Sequence, residues 1–134
     1  MSSKILLDTN IVVFRVSNRK KLSRDQLRVL DQADAEGREV AISGMTLAEL
    51  AFIDGSKNLR NQHSAKDILL FIGNYPGLTV LPITIEIARE AAALRPILIE
   101  PRNCIIAATA RVHGLRLLTT DQRIIAANVV STIE

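Results

Sequence analysis

The chain has 134 residues, of which 48% are hydrophobic and 23% charged. That is one ordinary domain with enough apolar material for a core, which excludes a disordered chain. Aromatics are only 3% and the net charge is +3, so the core must be aliphatic and a base-stacking aromatic platform is disfavoured.

Lys4-Ile5-Leu6-Leu7 is a short apolar run ending in Asp8-Thr9-Asn10, read as a buried strand and a turn. The basic residues Arg15, Arg19, Lys20, Lys21, Arg24 and Arg28 follow, interrupted by one acid, Asp25. Such a cluster either meets the phosphates of a nucleic acid or is a solvated loop and helix face. Ser23 to Gln26 reads as a capping box opening a helix that carries Leu27, Leu30 and Ala33 and ends at Gly37. Glu39 to Ile42 is the next strand. Thr46 to about Asn58 and Ser64 to Gly73 read as two helices, together an apolar hairpin suited to self-association. Tyr75-Pro76-Gly77 is a turn, and Leu78 to Leu81 a third strand. Thr84 to Arg95 is an Ala-rich helix that Pro96 should stop. Pro101 to His113 is another helix, with Gly114 at its end. Leu115 to Leu118 is a fourth strand, Gln122 to Ala126 a short helix, and Asn128 to Thr132 a fifth, edge strand.

Strands alternate with helices throughout. The predicted fold is α/β: one domain over residues 1–134, with a central parallel sheet of four to five strands and helices on both faces. No GxGxxG follows the first strand and no GxxxxGK[ST] occurs, which disfavours dinucleotide and P-loop chemistry. The single cysteine, Cys104, cannot form an internal disulfide or a multi-cysteine zinc site. The N-terminus does not read as a signal peptide, and no apolar run approaches the ~20 residues of a membrane span. A cytoplasmic setting is expected.

Sites in a parallel sheet gather at the C-terminal edge of the strands. Three acids fall there. Asp8 follows the first strand, Glu49 lies one turn into the helix after the second, and Asp121 follows the fourth. Each has a structural alternative: Asp8 and Asp121 as helix N-caps, and Glu49 as the partner of Thr46 in a capping box. Jointly they point to a cation, because clustered carboxylates repel one another without one. Oxygen donors without a His or Cys cluster favour Mg²⁺ or Mn²⁺. A Cys–His nucleophilic pair involving Cys104 with His63 or His113 is a minor alternative, and Cys104 is otherwise a small core residue.

The sequence resembles PIN domains. Ile5-Leu6-Leu7-Asp8-Thr9-Asn10 looks like the opening of that family, and Ser43-Gly44-Met45-Thr46-Leu47-Ala48-Glu49-Leu50 like the segment carrying its glutamate. Asn103-Cys104-Ile105-Ile106-Ala107-Ala108-Thr109-Ala110 is similar to the family's Asp-x-x-Ile-Ala-Ala-Thr-Ala helix, and Leu117-Leu118-Thr119-Thr120-Asp121 to its last acidic motif. Length and motif spacing resemble the VapC-type toxins of VapBC toxin–antitoxin pairs. The resemblance implies a metal-dependent endoribonuclease in which Mg²⁺ or Mn²⁺, held by an acidic pocket, activates water. Asp8 and Asp121 would be the principal ligands, Glu49 would complete the pocket, and Thr9, Asn10 and Thr120 would orient ligands or water. Arg15, Arg19, Lys20, Lys21 and Arg24 would contact RNA. It further implies a homodimer and a VapB-type antitoxin partner. One position departs from the pattern: the family's third acid falls at Asn103, which keeps the shape of aspartate but not the charge. An engineered change, a naturally weakened or metal-selective enzyme, a non-catalytic RNA- or protein-binding module, and a purely structural role for Asn103 all remain open.

Overall fold

The computed structural model describes residues 4–53 and 65–134. Five short strands form one parallel sheet: β1 (Ile5–Leu7), β2 (Val40–Ser43), β3 (Leu78–Leu81), β4 (Arg116–Leu118) and β5 (Thr132–Ile133). Their order is β3-β2-β1-β4-β5. The helices among the described residues are α1 (Thr9–Ser17), α2 (Arg24–Glu36), α3 (Gly44–Ala51), α4 (Ala65–Asn74), α5 (Ile85–Leu98), α6 (Pro101–His113) and α7 (Gln122–Ala127). A single 3-10 turn, Arg19–Lys21, separates α1 from α2. The expected α/β architecture is present, with five strands.

Register explains the layering. Leu6 is level with Ala41 and Leu117, and Leu7 with Ile42 and Leu118. Successive strand side chains point to opposite faces. Leu6, Ala41 and Leu117 therefore pack with Ile87 and Leu94 of α5, Ile106 of α6 and Ile124 of α7. Leu7, Ile42 and Leu118 pack on the other face with Ile11 of α1, Leu30 of α2, Leu50 of α3 and Ile68 of α4. Both faces are covered, so the strands are continuous apolar runs. Each fully buried Leu or Ile contributes about 1.5–3 kcal/mol.

Local chemistry sets the helix ends. Ser23 and Gln26 form the expected capping box. The Gln26 amide also donates to the carbonyls of Thr119 at 3.1 Å and Ile133 at 3.0 Å, tying the first turn of α2 to the strand ends of β4 and β5. Gly37 and Gly114 close α2 and α6 with φ of 64° and 65°, a left-handed conformation that glycine adopts without strain.

Three expectations are corrected. Pro96 does not stop α5, which runs on to Leu98 and ends where Ile99 turns to φ 67°. Pro96 lies in the last turn, where its missing N–H costs a single helical bond. Ser43, not Thr46, caps α3, accepting from the Met45 N–H at 3.0 Å. Thr46 and Glu49 are thereby interior helix positions whose side chains serve elsewhere. The fifth strand begins at Thr132 rather than Asn128, because Asn128 closes α7 in the left-handed region. The predicted helix from Thr46 to Asn58 ends at Ala51 in α3; its last residues and the start of the second hairpin helix at Ser64 lie outside the described residues. No helix among the described residues is long and apolar enough to cross a membrane.

Candidate metal centre

The strand order reverses direction between β1 and β4, and the ends of those two strands lead into Asp8 and Asp121, as expected at a topological switch point. Asp8 follows β1 directly and is 1% exposed. It caps α1, its Oδ1 accepting from the Thr9 N–H at 2.8 Å, while its Oδ2 accepts from the Thr119 hydroxyl at 2.7 Å. The Thr119 oxygen in turn accepts from the Asp121 N–H at 3.0 Å. Asp121 caps α7 through Oδ1, which accepts from the Arg123 N–H at 2.9 Å. Glu49 enters from α3, and its Oε1 accepts from the Thr9 hydroxyl at 2.6 Å. That hydroxyl also lies 3.0 Å from the Thr46 hydroxyl. Capping and site-building are thus compatible: Asp121 caps with one oxygen and leaves the other free of the cap, and Asp8 caps with Oδ1 while Thr119 holds Oδ2.

The centre of this acidic group is a guanidinium. Arg102, in the first turn of α6, donates from Nη2 to Asp8 Oδ1 at 3.0 Å and from Nε to Glu49 Oε2 at 2.5 Å. Its Nη1 donates to Asn103 Oδ1 and lies 3.8 Å from Asp121 Oδ2. Burial works against the charge of Arg102, but the Glu49 hydrogen bond and the Asp8 and Glu49 charges outweigh it and raise its pKa above the ordinary arginine value. A cation in the first turn of a helix also opposes the helix dipole. The carboxylates offset both penalties.

Asn103 is fully buried beside Arg102, and its Nδ2 has no hydrogen-bond partner among the described residues. The position therefore offers partners for an acceptor on one side and none for the amide's donor.

The residue profile of the PIN domain matches residues 5–129. The chain belongs to the PIN-domain family. No curated protein sequence matches it. Among solved structures, this PIN domain is similar to VapBC2 from Rickettsia felis bound to a DNA fragment from its promoter (TM-score 0.71, 19% identity, 96% of each chain). It is also similar to DNA-bound VapBC from Salmonella typhimurium (TM-score 0.71, 21% identity, 98% of each chain). FitAcB from Neisseria gonorrhoeae gives a TM-score of 0.64 at 26% identity, over 97% of this chain and 96% of that one.

The predicted acids of the PIN domain, Asp8, Glu49 and Asp121, come together with Asn103 around Arg102. The supporting polar residues differ in part. Thr9 holds Glu49 as described, but Asn10 is exposed on α1. The threonine that bonds Asp8 is the buried Thr119, not the half-buried Thr120. The sequence did not single out Arg102, and it marked Thr46 only as a capping partner and Thr119 only as part of a motif. The signal for Arg102 was a cation placed against a helix dipole beside a position reserved for an acid.

The basic cluster divides. Arg15 is withdrawn: its side chain is 7% exposed, bonds Asp34 at 2.7 Å and Tyr75 at 2.5 Å, and sits over the Tyr75 ring. Those partners precede β2 and β3, at the edge opposite the pocket. Arg19 pairs with Asp31 at 3.1 Å, and Lys21 stands over the Phe14 ring. Lys20 and Arg24 are exposed, and Arg24 starts the helix that Gln26 ties to Thr119. Cys104 is buried in the core, and burial pushes its thiol above the ordinary value. His113 is exposed at the end of α6, and His63 lies outside the described residues, so no Cys–His pair forms among the described residues.

The donors that face Arg102 are all oxygens, three carboxylates and one amide, and this set fits the chemistry of a hard divalent cation. Their spacing fits the guanidinium instead. Among the described residues no group of three His, Cys, Asp or Glu side chains is placed to hold one ion.

Proposed function

We propose that this PIN domain is the VapC-type toxin of a type II toxin–antitoxin pair, a metal-dependent endoribonuclease whose Mg²⁺ or Mn²⁺ is held by Asp8, Glu49 and Asp121 with the amide oxygen of Asn103. The observation that carries this reading is the convergence of three carboxylates from three separate elements on one cation at the switch point of the sheet. The VapBC assemblies among the similar structures support the toxin assignment and a VapB-type antitoxin as partner. A cytoplasmic setting accords with the free Cys104.

When bound, the ion lowers the pKa of its water and stabilises negative charge on the phosphodiester. The chain supplies the preorganisation. Thr119 fixes the Asp8 carboxylate and the start of Asp121, and Thr9 fixes Glu49, so the acids are held before substrate arrives. Arg19, Lys20, Lys21 and Arg24 are the groups for RNA phosphates; Arg15 is engaged elsewhere. Asn103 weakens the centre by removing one anionic donor.

A homodimer is part of this reading. Ile83, Ile85, Ile97 and Ile99 are exposed around α5, and Ile83, Ala88, Ala92 and Ile105 line a shallow apolar cavity of about 250 Å³. Such surface suits a partner subunit better than water. Asn103 and the occupied pocket favour one alternative, a non-catalytic PIN module that binds RNA or protein.

The test is cleavage of a structured RNA with Mg²⁺, Mn²⁺ or EDTA. Weak metal-dependent cleavage is expected, lost in Asp8→Ala and raised in Asn103→Asp. Metal bound by both the parent and Asn103→Asp without cleavage by either would favour the binding module.

A further inference from the structure

We propose that Arg102 is a resident counter-cation of the acidic pocket, and that its guanidinium and a divalent ion compete for the same oxygens. The inference rests on the reading of the pocket as a metal centre.

The allocation of oxygens makes the competition strict. Asp8 Oδ2 is taken by Thr119, Glu49 Oε1 by Thr9, and Asp121 Oδ1 by the Arg123 N–H. The oxygens that face Arg102 are Glu49 Oε2, Asp121 Oδ2 and Asn103 Oδ1, with Asp8 Oδ1, which also accepts from the Thr9 N–H. Arg102 bonds three of these and stands 3.8 Å from the fourth. An ion drawing on this set meets the guanidinium on three of its four donors. Each of the three carboxylates is tethered by a bond on its other oxygen, whereas Asn103 has only its bond to Arg102.

Charge and placement make the exchange feasible. One guanidinium neutralises one of three carboxylate charges, so the pocket keeps a net attraction for a divalent ion. Arg102 is 24% exposed and reaches the acids from the first turn of α6 on a long, flexible stem. Withdrawal needs rotation of one side chain. The helix stays anchored through buried Asn103, Cys104 and Ile106. Its dipole disfavours a cation there, so the carboxylates are what retain Arg102. Arg102 therefore holds the acids in register without metal and sets how much metal is needed to load the site.

The experiment is calorimetric titration of Mn²⁺ into the full chain, comparing the parent with Arg102→Met and with Arg102→Met/Asp8→Asn. Arg102→Met should bind Mn²⁺ about tenfold or more tightly than the parent. It should also melt lower in EDTA and recover on adding Mn²⁺. The double variant should lose the tight site. Equal Mn²⁺ affinity in the parent and Arg102→Met overturns the competition and leaves the metal reading standing. Absence of binding in both overturns the metal reading and the competition with it. Retention of tight binding in the double variant places the ion elsewhere and has the same consequence. Should Arg102→Met not fold, NMR of the parent decides, with Arg102→Lys used only for assignment. The Arg102 Nε–H resonance, assigned by its absence from Arg102→Lys, should shift in step with a Mg²⁺ titration. A resonance unmoved at saturating Mg²⁺ overturns the proposal.

Discussion

At position 103 the chain places a buried amide of which only the oxygen finds a partner. The Oδ1 accepts from Arg102, but the buried Nδ2 finds no acceptor among the described residues, a state that costs about 1–3 kcal/mol. Asn103→Asp removes that orphan donor and adds an anionic ligand. Its Mn²⁺ affinity should exceed the parent's by more than the ~10–100-fold typical of groups outside the coordination sphere; Mn²⁺ titration followed by thermal melts measures it. The two neighbouring threonines give a second contrast. Thr119→Val leaves Asp8 Oδ2 without its hydroxyl donor and should cost about 1.5–3 kcal/mol, the range for hydrogen bonds to charged groups. Thr120→Val should stay within about 0.5 kcal/mol. Chemical denaturation of both variants tests this, and equal losses would contradict the placement. Asp8 and Asp121 were legible in the sequence because Asp8 directly follows an apolar strand and Asp121 follows one after two threonines. Thr119 was not, since choosing between adjacent threonines requires the register of β4 against β1. Arg102 was not, since an arginine in a helix's first turn reads as solvated until three distant acids are seen around it.

The elements carry a separate network at the opposite edge. Arg15 from α1, Asp34 from α2 and Tyr75 beyond α4 bond one another. Burial works against the Asp34 charge, but the hydrogen bonds from Tyr75 and Arg15 and the Arg15 charge hold its pKa below the ordinary value. Folding therefore favours the ionised form. That contribution is complete above the unfolded aspartate value of about 3.9 and is lost as pH falls through the lower folded value. The parent's melting temperature should drop below about pH 4 more steeply than that of Asp34→Asn. Parallel slopes in melts across that range would remove Asp34 from the acid response. Most elements were legible from apolar runs and their punctuation: Gly37 and Gly114 end helices as expected, and Leu78–Leu81 is a strand from end to end. Pro96 misled because a proline in a last turn is far less disruptive than one in mid-helix. The Thr46–Glu49 capping box misled because Ser43, three residues earlier, offers an equally good cap at the end of β2.

For the whole molecule, the exposed isoleucines around α5 and the edge position of β3 bear on assembly. Ile85 is 75% exposed at the start of α5. Light scattering at micromolar concentration should give about twice the 14.7 kDa chain mass, and Ile85→Glu should shift it toward the monomer. A parent that stays monomeric across concentrations would contradict the dimer. The parallel order of the sheet was legible from alternation alone. Which strands flank the switch point was not, because strand order depends on long-range pairing, and that order is what brings Asp8 and Asp121 together. The most direct test of the metal centre is anomalous diffraction from crystals of the parent protein grown with Mn²⁺. One anomalous peak is expected among Asp8, Glu49, Asn103 and Asp121, with the Arg102 guanidinium displaced from the pocket. A pocket without a peak at saturating Mn²⁺, with Arg102 still bonded to Asp8 and Glu49, would contradict it.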